Sequence, residues 1–207
     1  MDITNEVINE AAKAGAEIII SHHPVIFKPI KRISACSEVY NLIKNDIFAL
    51  CAHTNLDAAD GGVNDVLASY AGLVHTEKIS GMIGRLGLLD RTYSVKEYSE
   101  YIKNKLNSKS VRYLDCGIMV NKLAVIGGAG GDYLDMCKEN GADTLLTGEL
   151  KYHEFLAAKT LGLNIIEAGH FATENIIIKY LENKLSAKFP SANFIISDLN
   201  RDILESV

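Results

Sequence analysis

Cysteine is sparse and scattered: Cys36, Cys51, Cys116 and Cys137 are the four thiols in 207 residues, and no two form a Cys-x-x-Cys pair. That excludes a disulfide framework and a thiolate zinc site as the organising chemistry, and it suits a reducing compartment. No apolar run approaches the roughly 18 residues that a membrane span needs, and residues 1 to 15 lack the basic start and apolar middle of a secretory signal. A soluble, cytoplasmic chain without membrane contact is the expectation. Positive charge is also in deficit. With 21 Lys and Arg against 26 Asp and Glu, the net charge of −5 argues against coating nucleic acid or an anionic membrane by bulk electrostatics. Any anion site must be local.

What the chain does have is enough length and apolar content, 48%, for one sizeable core or two small ones. Residues 5 to 14 place Val7, Ile8, Ala11 and Ala12 on one helical face, and Gly15 follows as a helix stop. "EIII", "IFALCAH", "KLAVIGGAGG", "ADTLLTG" and "NIIEAGH" read as buried strands separated by helices such as "SEVYNLIKND" and "YHEFLAAKTLG". That alternation predicts an α/β fold with mixed or parallel sheets, built as two similar lobes around a cleft. The expected division is an N-terminal lobe over 1–74, a connecting region over 75–120 and a C-terminal lobe over 121–207. "KAGAEIIISHHP" aligns with "KENGADTLLTGE", and "IFALCAHTNLD" with "LNIIEAGHFATE", which reads either as a duplication or as the general likeness of βα units.

Four of the six histidines, His22, His23, His53 and His170, fall at or just after the C-terminal end of a predicted strand, where open α/β sheets bind ligands. Asp57 and Glu174 each follow a histidine by four residues, one helical turn. Imidazoles and carboxylates together suit zinc, iron, manganese or nickel, and carboxylates can bridge two ions. His22, His23, Asp57, His170 and Glu174 therefore have the composition of a dinuclear site. Adjacent residues on a strand point to opposite faces, so both rings of His22 and His23 reach one cleft only if the chain leaves the sheet there, a turn assigned to Pro24. A single histidine at a strand end is usually just hydrogen-bonded, and His75 and His153 are read that way. Lys28, Lys31 and Arg32 form either a phosphate-attracting patch or an ordinary solvated loop. "GGAGGD" is either an anion cradle or a tightly packed turn.

Through "SHHPVIFKPIKRI", "AHTNLDAADGGVND", "GMIGRLG", "AVIGGAG", "GADTLLTGELKYHE" and "EAGHFATEN", in that order, the chain resembles the Nif-three-like dinuclear-metal-centre proteins, also called GTP cyclohydrolase I type 2 homologues. The resemblance implies two divalent ions, one on His23 and Asp57, the other on His22 and His170, with Glu174 bridging. It also implies a two-lobed protomer in a hexameric ring. Against the family's pattern the chain is short by about 40 residues at the N-terminus, which would leave a sheet edge open, and it carries no tryptophan. The expected activity is metal-dependent hydrolysis of a nucleotide-like substrate, with His53 as proton shuttle and Lys28, Lys31 and Arg32 binding phosphates. The alternative is a metal-stabilised hexameric scaffold that contacts DNA or a protein without turnover, its DNA contact disfavoured by the net acidity.

Overall fold

The Thr4 hydroxyl accepts the Val7 amide at 3.3 Å and starts helix α1 (Asn5–Ala14), which ends where Gly15 adopts φ 70°, a backbone that a side chain would strain. The computed structural model describes residues 1–205. They fall into two units, one made of Met1–Leu56 and Ile178–Arg201, the other of Asp57–Ile177 and the residues from Asp202 onward.

In the first unit, α1 is followed by β1 (Ile18–Ser21), α2 (Glu38–Lys44) and β2 (Phe48–Cys51). The two strands pair in parallel, Ile18 opposite Phe48 and Ser21 opposite Cys51. Ile3, Ile8, Leu42 and Ile47 form the core, with Ala11, Ala12 and Ile19 packed against it, so the helical face read from the sequence is the buried one. The short helix α3 (Thr54–Ala58) carries the chain out of this unit.

The second unit holds α4 (Val63–Tyr70), β3 (Val74–Glu77), β4 (Arg85–Tyr93), α5 (Val95–Lys105), β5 (Arg112–Leu114), β6 (Val120–Ala129), α6 (Leu134–Glu139), β7 (Thr144–Glu149), α7 (Tyr152–Leu161), β8 (Asn164–Glu167) and α8 (His170–Glu174). Helix α9 (Ile176–Lys188) leads back into the first unit. Its sheet runs β3-β4-β6-β7-β8-β5, with β6, β7 and β8 parallel and the outer strands antiparallel. Successive residues of the parallel strands alternate between two cores. Leu123, Val125, Leu146 and Ile166 pack with α4 and α5, while Ala124, Ile126, Leu145 and Ile165 pack with α6 and α7. Covering both faces is why these strands read as continuous apolar runs. Cys137 sits in the second core, where burial pushes its thiol up to about 12, and all four cysteines are free. No helix among the described residues is long and apolar enough to cross a membrane.

The α/β class is as expected, and the sheets are both parallel and antiparallel. Residues 75–120, read as a connector, instead supply β4, α5 and β5 to the large sheet. Gly84, just before β4, and Gly87 within it thin the apolar pattern there, where a Cβ at Gly84 would press on the Val125 carbonyl and one at Gly87 on the Val74 carbonyl.

The sequence repeat has a backbone counterpart. Phe48 N–H bonds Glu17 O and Ala52 N–H bonds Ser21 O. In the second unit Asn164 N–H bonds Asp143 O and Ala168 N–H bonds Thr147 O, all at 2.9 Å. Both strand pairs have the same four-residue register, and α3 and α8 are both five residues long. This register equates His23 with Glu149, His53 with Gly169 and Asp57 with Thr173. The alignment of His53 with His170 is therefore one residue out, because Gly169 at φ 94° precedes α8 and His170 opens it.

Candidate metal centre

β1 ends at Ser21, and the amides of both His22 and His23 then bond one acceptor, the Met1 carbonyl, at 3.2 Å each. Two consecutive amides converging on one carbonyl break strand alternation before Pro24 is reached. The turn credited to Pro24 thus begins with Met1. The two rings lie 5.1 Å apart at 47°, on one side of the chain, and His53 joins them from the end of β2 at 5.2 and 5.7 Å. Each of the three offers a ligand nitrogen within 4.8 Å of the others.

Their outer partners fix which nitrogen that is. His22 is buried, and its Nδ1 lies 2.8 Å from the Ala52 carbonyl. A carbonyl only accepts, so Nδ1 carries the proton and Nε2 keeps the lone pair that could serve a metal. His23 Nδ1 lies 2.7 Å from Asp2 Oδ1, with the same consequence. Imidazoles that bind metals characteristically donate their second N–H to a carbonyl or carboxylate in this way.

In the second unit, Asp57 on α3 and Glu174 on α8 are 4% and 3% exposed, and their carboxylate oxygens lie within 4.8 Å of each other. His170 Nε2 is 3.1 Å from Glu174 Oε2, and its Nδ1 faces Glu149 at 3.5 Å. Two buried like charges this close favour a cation between them. The donors of each unit, imidazoles with an oxygen partner behind Nδ1 and, in the second unit, two buried carboxylates, are of the kind that divalent zinc and iron take.

Several supporting residues escaped the sequence reading. The Asn64 amide, wholly buried, donates to the carbonyls of Asp57 and Ile83 and accepts the Gly127 N–H at 2.8 Å. Gly128 sits at φ 65°, where a Cβ would overlap the Glu174 carboxylate, and its N–H bonds Thr173 Oγ1 at 3.1 Å. The amides of Gly127 and Gly128 are thus spent on the unit's own side chains, which makes "GGAGGD" a packed turn. Lys28, Lys31 and Arg32 lie on an exposed irregular stretch of the first unit, while His75 and His153 are exposed.

Buried carboxylates in the second unit with a histidine after its parallel strands, and three neighbouring imidazoles after those of the first, give an α/β protein with groups that could hold metal ions. The comparisons specify it further. The family model for Duf34/NIF3 (NGG1p interacting factor 3) matches residues 1–203, and the chain belongs to that family. A Clostridium perfringens relative named GTP cyclohydrolase 1 type 2 homolog is 34% identical over 100% of this chain and 84% of its own length. One of the same name from Methanocaldococcus jannaschii is 30% identical over 90% and 78%. Among solved structures, a Bacillus cereus protein related to NIF3 superposes with TM-score 0.87 at 26% identity, covering 100% of this chain and 88% of that one. A Staphylococcus aureus hypothetical protein gives 0.89 at 28%, covering 100% and 85%.

Proposed function

We propose that the chain is a metal-dependent hydrolase of a nucleotide-like substrate. In this reading His22, His23, Asp57, His170 and Glu174 hold two divalent ions, and the protomers assemble as a hexameric ring in the cytoplasm. The supporting observation is the pair of buried carboxylates, Asp57 and Glu174, within 4.8 Å of each other. Keeping both ionised in a low dielectric requires positive charge, which bound cations supply. The name shared by the curated relatives points to a nucleotide, GTP, as the class to try first.

Bound ions of this kind acidify water and polarise the bond under attack. The chain's own residues do the rest. The partners of Nδ1 keep each imidazole in the ligating tautomer, and Asn64 holds the Asp57 backbone in register with Gly127. His53, ring to ring with His22 and His23, is the group that takes and returns the proton in this reading. Lys28, Lys31 and Arg32 supply positive charge for phosphates, with Arg32 able to grip two oxygens at once.

The test is turnover of GTP and of simple phosphoesters by metal-loaded protein, wild type against the His22→Ala/His23→Ala double variant. Loss of rate by at least about a hundredfold is expected, beyond the effect typical of outer partners. Turnover that survives loss of both histidines rules the mechanism out.

A further inference from the structure

We propose that Asp2 is a positioning residue for the metal ligand His23, and that it makes the two ion positions unequal. This rests on the metal-binding reading above.

The His23 main chain is pinned at both ends, its amide on the Met1 carbonyl at 3.2 Å and its carbonyl receiving the Ser21 hydroxyl at 2.8 Å. Those bonds fix where the ring starts but leave the ring its own rotation and choice of tautomer. Asp2 settles both, since Oδ1 stands 2.7 Å from Nδ1 and demands a proton there. The Met1 carbonyl that turns the chain at His22 and His23 belongs to the residue before Asp2, so one short segment sets the backbone and the ring together.

His22 is held differently. Its Nδ1 faces a neutral carbonyl, Ala52 O, at 2.8 Å. A carboxylate behind an imidazole raises its basicity as a ligand more than a carbonyl does, so the two neighbouring histidines are unlike donors. Stability gains little from the Asp2 contact, because Asp2 is 48% and His23 26% exposed. Removing the carboxylate should therefore act on metal binding and leave folding alone.

The experiment titrates zinc against a chromophoric chelator and reads cobalt(II) visible spectra, on wild type, Asp2→Ala and Asp2→Asn, each with any purification tag at the C-terminus. Asp2→Ala is expected to weaken one of the two zinc-binding steps ten- to a hundredfold, leave the other within about threefold, and alter the cobalt spectrum. Asp2→Asn, whose amide oxygen still accepts the Nδ1 proton, should recover part of the affinity. Urea unfolding of the metal-free protein should be the same in all three. Unchanged zinc binding in Asp2→Ala overturns the inference, as does equal weakening of both steps with a lower unfolding midpoint, which would make Asp2 structural. Wild-type protein that binds no zinc at all overturns the metal-binding reading itself, and this inference with it.

Discussion

Glu174→Gln is expected to weaken both zinc-binding steps by more than about a hundredfold while the metal-free protein stays folded, since in the proposed centre Glu174 serves both ions where an outer partner touches one. Glutamine keeps the volume that packs against Gly127 and Gly128 and removes only the charge. In the metal-free protein that removal also relieves the like-charge strain against Asp57. Loss of the His170 contact at 3.1 Å offsets part of the relief. The urea midpoint without metal should therefore hold or rise. Intact zinc binding, or a midpoint that falls by more than about 2 kcal/mol in stability, would make Glu174 a structural strut and not a ligand.

Arg85→Ala is expected to be the most destabilising change outside the ligand set, by about 3–5 kcal/mol in urea or thermal unfolding. Arg85 is 2% exposed and donates to the carbonyls of Ala59, Ile83 and Gly84 at 2.8, 3.0 and 3.0 Å, to Ala58 O at 3.4 Å, and to the Asp65 carboxylate. Its loss strands Asp65, the Ala58 and Ala59 carbonyls in the turn that follows Asp57, and the Ile83 and Gly84 carbonyls that lead into β4. Arg85→Lys should restore only part of this stability, because an ammonium cannot reproduce the planar fork. Burial pushes the Asp65 carboxyl up, but the Arg85 and Gly61 hydrogen bonds and the positive charges of Arg85 and Lys78 together hold it below the usual carboxylate range. A depressed acid contributes stability above its unfolded value, near 4, and loses it as pH falls through the folded one. The gap between wild type and Arg85→Ala should accordingly narrow below about pH 4. A gap that is flat from pH 7 to pH 3, or a cost under about 1 kcal/mol, would contradict this role.

The parallel strands and their helices were legible because each signal was local: apolar runs ending at Gly15, Gly72 and Gly162, all with φ of 62–75°. Strands β3, β4 and β5 were not, since antiparallel pairing across the sheet leaves no local trace and glycines thin the pattern of β4. The five proposed ligands stood out as histidines and acids at strand ends. What supports them did not. Asn64 and Arg85 look like surface polar residues until their burial is seen, and Asp2 lies 21 positions from His23. The His53–His170 alignment slipped by one because matching letters cannot show that Gly169 and not His170 occupies the turn before α8.

The proposed centre holds two ions per chain, and elemental analysis of the protein after zinc loading and gel filtration counts them. About two zinc ions per chain are expected for wild type and fewer than one for Glu174→Gln at equal fold. Wild-type protein that is folded yet retains essentially no metal would rule out a dinuclear centre.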